Sequence, residues 1–441
     1  MHPPISYALA NIPRYTSYPT APHFGPLGAA EYAGWLGGIT ADMPLSLYLH
    51  VPFCKSLCWY CGCHTAVTRS GARIERYAAA LGAEARMLAA HLPEHAGIAH
   101  LHLGGGTPTA LGAAALAGLL AQLRADFGFR PGAELAAELD PRELDEATVA
   151  ALAEAGLTRA SLGVQDISTT VQQRIGRVQS RDCVVGAVER LRAHGIPSIN
   201  MDVMYGLPGQ GVAEVEATTR FAISLGAERV AVFGYAHVPW MKPHQNAIDS
   251  ASLPGALERM AQADAAEAVL RAAGYVPIGL DHFAKPTDDM AVALREGALH
   301  RNFQGYTTDA APALLGLGVS AIGSLPGGYA QNEPDERKYV AAVEAGVFPV
   351  KRGRALTADD RQRRDVIERV MCDFTLNLAP LPPALLDEAM PGLARLETDG
   401  VIALDRDFLR VTPAGRRYVR HVAACFDAYL GQGAGRHSMA V

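Results

Sequence analysis

The chain has 441 residues, of which 49% are hydrophobic and 19% charged, and its 39 basic and 45 acidic residues give a formal net charge of −6. This composition supports a sizeable core and excludes a general positive field for nucleic acid, so an anionic ligand must be bound by local arginines and lysines. No apolar run approaches the roughly 18 residues of a membrane span, and the odd number of cysteines indicates reduced thiols, so we expect a cytoplasmic enzyme.

The chain divides into three predicted segments: an N-terminal arm over residues 1–44, a catalytic domain over 45–350 and a mainly helical C-terminal domain over 351–441. In the catalytic domain, short strand-like runs alternate with longer Ala/Leu/Glu-rich stretches. The predicted strands are Leu45–His50, His100–Leu103, Leu135–Leu139, Arg159–Val164, Ile199–Met204, Arg229–Tyr235 and Val276–Gly279. The predicted helices are Arg73–His91, Ala110–Ala125, Asp145–Ala155, Asp182–His194, Val212–Leu225 and Ala256–Ala273. This alternation predicts an α/β fold with a partial or complete parallel (β/α) barrel.

Four of the seven cysteines lie within ten residues, Cys54-Lys-Ser-Leu-Cys58-Trp-Tyr-Cys61-Gly-Cys63, directly after the first predicted strand. Three thiolates spaced Cys-x3-Cys-x2-Cys can hold one face of a [4Fe-4S] cluster and leave its fourth iron open to a substrate or cofactor. Structural zinc is the alternative, but it usually takes two ligand pairs from separate segments, and no matching Cys or His pair occurs elsewhere. Cys63 could act as a fourth ligand, although one intervening residue makes that geometry cramped.

Glycines and polar residues cluster where the predicted strands end, which is where a parallel barrel places its working residues. The triple glycine matches neither the dinucleotide fingerprint nor a Walker loop, so its expected use is to bring bare backbone close to a ligand. The strand-end groups are Gly104-Gly-Gly-Thr-Pro-Thr109, Glu138-Leu-Asp-Pro, Gln165-Asp166, Asp202 with Tyr205-Gly-Leu-Pro, and Ala236-His237.

Two further regions follow the predicted barrel strands. In the loop His300–Thr308, Arg301 and the amide of Gln304 suit carboxylate recognition, and the aromatic residues offer flat apolar faces. From Arg361 onwards the pattern is helical, then a hairpin is predicted over Val401–Val411 and a last helix through Leu430. That order is winged-helix-like, and its mixed charges favour a docked lid over a DNA-binding module.

Taken together, these motifs resemble the radical S-adenosylmethionine superfamily and, within it, the oxygen-independent coproporphyrinogen III dehydrogenases. The resemblance covers about residues 11 to 430. It rests on the cysteine motif, Arg14-Tyr-Thr-Ser-Tyr-Pro-Thr-Ala21, Cys63, the Gly104–Thr109 run, Gly163-Val-Gln-Asp166, Tyr205-Gly-Leu-Pro208 and the His300–Thr308 loop. It implies a partial barrel of the radical S-adenosylmethionine type. It also implies conversion of coproporphyrinogen III to protoporphyrinogen IX in heme biosynthesis, in which a 5'-deoxyadenosyl radical initiates loss of CO2 from two propionates.

The resemblance also implies a set of cofactor and substrate residues. Cys54, Cys58 and Cys61 would hold the cluster, and two S-adenosylmethionine molecules would bind. The first molecule is expected at Tyr48, Gly105, Glu138 and Ile322. The second is expected at Tyr60, Gly106, Thr107, Gln165, Arg177, Asp202 and Ala236. Tyr48, Arg301 and Gln304 are the expected catalytic residues beside the substrate. From the residues alone, Arg177 could equally be a solvated surface arginine.

The expected partners are coproporphyrinogen III and a reductant such as flavodoxin or ferredoxin, with no nucleic acid or membrane partner and a monomeric chain. Three other function classes stay open. Related heme-binding chaperones typically lack both the Arg14–Ala21 segment and a cysteine at the position of Cys63, whereas this chain has both. A heme-degrading or porphyrin-alkylating enzyme would share the barrel without the His300–Thr308 loop. A winged-helix regulator is the non-enzyme alternative.

Overall fold

The computed structural model describes residues 3–432, and over this range the chain forms alternating strands and helices. The strands are β1 (Gly25–Pro26), β2 (Leu45–Val51), β3 (Phe53–Cys54), β4 (Ala66–Val67), β5 (Ile98–Gly105), β6 (Phe129–Leu139), β7 (Arg159–Gln165), β8 (Ser198–Tyr205), β9 (Arg229–Gly234), β10 (Val276–Ile278), β11 (His282–Ala284), β12 (His300–Asn302), β13 (Gly305–Thr307), β14 (Ala313–Leu317), β15 (Ile322–Leu325), β16 (Gly328–Asn332), β17 (Val350–Ala355), β18 (Thr375–Asn377), β19 (Ile402–Asp405) and β20 (Phe408–Val411). The α-helices are α1 (Ser6–Leu9), α2 (Ala29–Leu36), α3 (Gly71–His91), α4 (Ala113–Phe127), α5 (Glu146–Glu154), α6 (Thr169–Arg174), α7 (Arg181–Ala193), α8 (Val212–Ser224), α9 (Ala256–Ala272), α10 (Asp289–Glu296), α11 (Glu336–Glu344), α12 (Ala358–Asp373), α13 (Pro383–Thr398) and α14 (Val419–Ala424).

A single sheet of 13 strands forms the centre of the molecule, in the order β1-β17-β16-β15-β14-β2-β5-β6-β7-β8-β9-β11-β10. The seven strands from β14 to β9 in this order are parallel, and the outer ones pair antiparallel. Parallel strands are covered on both faces, which explains why β2 and β14 read as continuous apolar runs and are buried along nearly their whole length. Because the described sheet ends at β1 and β10 without closing, the predicted partial barrel is confirmed.

Six of the seven predicted barrel strands are parallel neighbours in the order expected. The seventh, Val276–Gly279, was predicted as a further parallel strand and is instead the antiparallel edge strand β10, which pairs with β11. Only three residues separate these two strands, too few for a crossover helix, so the connection must be a hairpin. The seventh parallel strand is β14, which the sequence analysis did not predict and which lies beside β2.

The two halves of the N-terminal arm pack on different parts of the molecule: Tyr32 and Leu36 of α2 belong to the main core with the parallel strands, whereas residues 7–18 pack on the C-terminal region. Tyr7, Tyr15 and Tyr18 share a hydrophobic cluster with residues of α12, α13 and α14. The Tyr15 hydroxyl donates to Asp427 Oδ2 at 3.0 Å, and β1 pairs with β17 at the edge of the sheet. The arm therefore links the two ends of the chain, and the predicted segment boundaries at 44 and 350 stay predictions.

As far as residue 432, the C-terminal region contains three α-helices, α12, α13 and α14, and the small sheet β18-β20-β19. The hairpin predicted over Val401–Val411 is present as β19 and β20. The predicted last helix through Leu430 is wrong in length, because α14 ends at Ala424 and tight i→i+3 turns follow, such as Phe426 N–H to Ala423 O. The winged-helix likeness stays a prediction. Over residues 3–432, no helix combines the length and apolar character that a membrane crossing requires.

Candidate active site

The cysteine loop, residues 52–64, leaves the carboxyl end of β2. Its base is closed by a two-residue ladder in which β3 pairs with β4. Cys58 is buried, Cys54 and Cys61 are half-buried and Cys63 is exposed, and none of them forms a disulfide. Burial raises the pKa of Cys54 to about 11, whereas hydrogen bonds from Cys63 to the Cys61 sulfur lower the pKa of Cys61.

The segment after β9 holds the backbone of this loop in place. Gln245 Nε2 donates to Tyr60 O at 2.9 Å, His244 Nε2 donates to Cys61 O at 2.8 Å, and Lys242 Nζ donates to Cys63 O at 2.7 Å. Gln245 is fully buried and also donates to Ala236 O at 3.2 Å. These three hydrogen bonds fix the positions of the thiols, as a preformed metal site requires.

Positive charge surrounds the sulfur of Cys58. Arg177 Nη1 lies 3.5 Å from it and Arg142 Nη2 3.7 Å from it, and both arginines also bind Asp140, at 3.1 and 2.6 Å. These contacts fix the position of the Cys58 sulfur, and their positive charge complements the negative charge that a metal-bound thiolate carries. Within residues 3–432, no three His, Cys, Asp or Glu side chains converge on a position for a single metal ion. A [4Fe-4S] cluster binds each thiolate at a different iron, so the donor set fits a cluster rather than one ion.

The triple glycine lies against the cysteine loop, where side chains would not fit. A Cβ on Gly105, whose φ is +110°, would lie 2.7 Å from the ring of His50, and a Cβ on Gly106 would lie 2.6 Å from Phe53 O. The backbone N–H groups of Gly106 and Thr107 donate to Val51 O and Phe53 O. The close approach of two backbones explains the glycines, and it brings Thr107 Oγ1 to 3.8 Å from the Cys54 sulfur.

Tyr48 on β2 and Glu138 on β6 lie on the two strands that flank β5, and hydrogen bonds hold both side chains. The Tyr48 hydroxyl donates to His50 Nδ1 at 3.0 Å while His50 Nε2 donates to His64 O at 2.8 Å, and burial lowers the pKa of His50 to about 4, so its ring is neutral. Glu138 accepts from His102 Nε2 at 3.2 Å and from Gly105 N–H at 3.1 Å. Burial opposes ionisation of Glu138, but these donors outweigh it and lower the pKa of its carboxyl, leaving an anionic acceptor at the strand end.

A second polar group lies at the ends of β7 and β8. Gln165 has a φ of +66°, a strained conformation for a residue other than glycine, at an irregularity in the pairing of β7 with β8. Burial, with repulsion from Glu138, raises the pKa of Asp202 to about 6. Arg177 is only 7% exposed and donates to Gly163 O at 2.7 Å, so the alternative of a solvated surface arginine is excluded.

A cavity of about 820 Å³ opens beside these strand ends, between β8, β9, α9, the N-terminal arm and the C-terminal region. Seven arginines and three carboxylates line it. Arg301 lies on its wall, with its guanidinium 4.4 Å above the ring of Tyr306, and Ala236 lies on the wall nearest the cysteine loop. A space of this size with several charged groups is typical of a small-molecule site.

Residues 48–222 match the family model of the Radical SAM superfamily. The oxygen-independent coproporphyrinogen III oxidase of Bradyrhizobium diazoefficiens is 47% identical over 445 residues, an alignment that covers 99% of each chain. The chain belongs to the oxygen-independent coproporphyrinogen III oxidases. As a radical S-adenosylmethionine oxidoreductase, it uses a [4Fe-4S] cluster and S-adenosylmethionine as cofactors.

Other members of this family agree. The corresponding oxidase of Escherichia coli is 40% identical over 434 residues, covering 95% of this chain and 93% of its relative. A solved structure of the coproporphyrinogen III oxidase of Escherichia coli, described as a radical SAM enzyme, superposes with a TM-score of 0.90 at 38% identity, covering 95% of this chain and all of the other. The likeness therefore extends over the arm and the C-terminal region as well as the barrel.

Most of the predicted residues of this oxidase gather at the carboxyl ends of the parallel strands. Ile322 joins them because it begins β15, and its backbone lies against Gly316, which pairs with Tyr48. The three predicted catalytic residues separate: Arg301 lines the cavity, whereas Tyr48 on β2 and Gln304 in the turn between β12 and β13 are not among its lining residues. The ligand and substrate roles of these residues stay predictions.

The sequence analysis missed several residues that organise the site. Arg142 lies beside Cys58, Asp140 binds both arginines next to that sulfur, and Lys242, His244 and Gln245 hold the cysteine loop. A role for Asp140 could have been predicted from the sequence, because this residue closely follows Glu138 at the end of a predicted strand. The other contacts come from a loop without periodicity, and only the tertiary structure brings that loop to the cysteines.

Proposed function

We propose that this protein converts coproporphyrinogen III to protoporphyrinogen IX without oxygen, by oxidative decarboxylation of two propionates to vinyl groups in heme biosynthesis. One observation supports this proposal most directly. The three-cysteine loop, whose backbone is anchored, adjoins the arginine-lined cavity at the segment that contains Ala236 and Gln245. When bound, the cluster and S-adenosylmethionine supply the abstraction of a hydrogen atom from a propionate β-carbon. The protein's residues bind and orient these groups and keep water and oxygen from them.

Cys54, Cys58 and Cys61 are the proposed cluster ligands. Their support is the fixed backbone of the loop and the guanidinium groups of Arg142 and Arg177 beside Cys58. Two cations beside one sulfur complement the negative charge of a metal-bound thiolate.

We assign the strand-end residues to two S-adenosylmethionine molecules. Glu138 is anionic and suits ribose hydroxyls, and Arg177 adds a buried cation for a carboxylate. The first molecule is assigned to Tyr48, Gly105, Glu138 and Ile322. The second is assigned to Tyr60, Gly106, Thr107, Gln165, Arg177, Asp202 and Ala236.

Arg301 is proposed to bind a substrate propionate, and Gln304 and Tyr48 to act beside the reacting groups. The free Nε of Arg301 and its place on the cavity wall support its role. We further propose a cytoplasmic monomer that receives electrons from a flavodoxin or ferredoxin and needs no nucleic acid or membrane partner. The reduced state of all seven cysteines suits that compartment.

The proposal is tested by an anaerobic assay of the reconstituted protein with a reductant, S-adenosylmethionine and coproporphyrinogen III. We expect protoporphyrin after oxidation of the products, formed together with 5'-deoxyadenosine. Formation of 5'-deoxyadenosine without a decarboxylated tetrapyrrole would contradict the substrate assignment and favour a heme chaperone or a heme-degrading enzyme.

A further inference from the structure

The arginines of the 820 Å³ cavity fall into two groups. In the first group, Arg271 donates to Glu267 at 2.7 Å, Arg417 pairs with Asp264, and Arg416 donates to Gly279 O at 2.6 Å. The second, called the inner group below, comes from the arm, α9, β12 and α14 and consists of Arg14, Arg259, Arg301 and Arg420. Arg420 has partners within the protein, including Ile12 O at 3.4 Å.

Arg259 is the most informative member of the inner group. Its side chain is only 6% exposed, and its Nη2 donates to Tyr235 O at 2.8 Å, but its Nε has no hydrogen-bond partner among residues 3–432. The Nε of Arg301 is also unpartnered within that range. A buried guanidinium N–H without an acceptor is unfavourable, and a ligand that supplies acceptors removes the cost.

Arg14, Arg259 and Arg301 bring three guanidinium groups to a part of the cavity wall that contains one carboxylate, Asp281. Asp281 accepts from His282 Nδ1 at 2.7 Å. Burial lowers the pKa of Arg259, and the like charge of Arg14 contributes to that lowering. A ligand with several carboxylates stabilises such a group of cations.

Arg14 extends this charge to the cavity from the other end of the chain. It is exposed, and its side chain makes no hydrogen bond or ion pair to another described residue. Its carbonyl accepts from Arg301 Nη2 at 3.3 Å, so the backbone of the arm is fixed beside β12 while the Arg14 guanidinium stays available. The arm thereby contributes a cation to a site that the barrel alone does not complete.

We infer that this cavity binds the propionate carboxylates of the tetrapyrrole, with Arg14 and Arg259 acting together with Arg301 as the residues that recognise a tetracarboxylate. The assignment of the tetrapyrrole as the ligand rests on the proposed function. The preference of the cavity for a ligand with several carboxylates rests on the arginines alone. The cavity volume lies within the range of about 300–1,000 Å³ that holds small organic ligands. Because Ala236 is on its wall, carboxylates held by these arginines leave part of the macrocycle next to the predicted cofactor residues.

The test measures equilibrium binding of two fluorescent porphyrins to the anaerobically reconstituted protein: coproporphyrin III, with four carboxylates, and protoporphyrin IX, with two. We expect Arg14→Gln and Arg259→Gln each to raise the Kd for coproporphyrin III by at least about tenfold and the Kd for protoporphyrin IX by less. The control is Arg220→Gln, which removes the same charge from an exposed position on α8 and should change either Kd by less than about twofold.

Absorption of the cluster in each variant checks that the protein has folded. Arg14→Gln is the decisive variant, because the Arg14 side chain makes no hydrogen bond or ion pair with any other residue between 3 and 432. Values of Kd for coproporphyrin III within about twofold of wild type in both folded variants would overturn the inference. An equal loss for both porphyrins would overturn the role in tetracarboxylate recognition.

Turnover of the wild-type protein, measured alongside, separates this inference from the proposed function. Arginine-dependent binding without formation of protoporphyrinogen would leave the carboxylate site standing and contradict the proposed reaction. Normal turnover with an unchanged Kd and KM in both arginine variants would leave the reaction standing and contradict the assignment of the cavity.

Discussion

The cysteine loop and the arginine-lined cavity adjoin each other but are assembled in different ways. The loop is a continuous segment at the end of β2, and backbone hydrogen bonds with its neighbours fix its shape. The cavity takes its charged groups from the arm, α9, β12 and α14, which are far apart in the chain. Chemistry common to many enzymes can thus be encoded locally, whereas recognition of one substrate depends on contacts between distant segments.

Substitution of one proposed cluster ligand should prevent the cysteine loop from holding the cluster. We expect Cys58→Ala to abolish the cluster's visible absorption and all cleavage of S-adenosylmethionine, because the three proposed ligands leave no replacement for the buried Cys58. Optical spectroscopy and 5'-deoxyadenosine analysis after reconstitution measure both effects. Cys183→Ala, on α7, is the control and should keep both signals; a complete cluster in Cys58→Ala would remove Cys58 from the ligand set.

Removing an arginine affects only the second region. We expect Arg301→Ala to raise the KM for coproporphyrinogen III by about tenfold or more while cluster content stays at the wild-type level, because a charge-assisted hydrogen bond to a propionate is lost. Steady-state kinetics and iron analysis on the same samples separate the two effects. Wild-type kinetics in this variant would place Arg301 outside the substrate site.

Gln245 contacts both the cysteine loop and the cavity wall, so its substitution should have a smaller effect, on stability and on cluster incorporation. Gln245 bonds Tyr60 O, Ala236 O and Val238 N–H, so Gln245→Leu should lower the free energy of unfolding by roughly 1–3 kcal/mol and reduce, without abolishing, cluster incorporation. Chemical denaturation and iron content measure these losses. The exposed neighbour Asn246 provides the control Asn246→Ala; equal losses in both variants would deny Gln245 a specific role.

The last prediction concerns the scaffold beneath both regions and measures only stability. Burial raises the pKa of Glu84 from about 4.5 to about 7, although Tyr339, Gly318 N–H and Asn332 all donate to it. The folded state therefore binds a proton that the unfolded state releases, so Glu84 makes stability fall as pH rises from about 4.5 to about 7. We expect denaturation at pH 5 and pH 8 to show a fall of roughly 2–3 kcal/mol that Glu84→Gln removes. The same pH dependence in the variant would assign the fall to other groups.

The parts that the sequence predicted are those with a local signal. Apolar runs identified the six parallel strands from β2 to β9, and cysteine spacing identified the loop. β14 was missed because its five residues follow a polar loop, outside the repeat of strands and helices, and only its pairing with β2 makes it part of the barrel. Neither the burial of Arg177 nor the anchor at Gln245 could be predicted, since each depends on which distant segment packs against it.

The most direct test of the account uses coproporphyrinogen III deuterated at the β-carbons of its propionates, incubated anaerobically with the reconstituted protein, reductant and S-adenosylmethionine. The account predicts protoporphyrinogen IX together with 5'-deoxyadenosine that carries deuterium, because the hydrogen atom is taken from the propionate. Unlabelled 5'-deoxyadenosine beside unchanged coproporphyrinogen would contradict it.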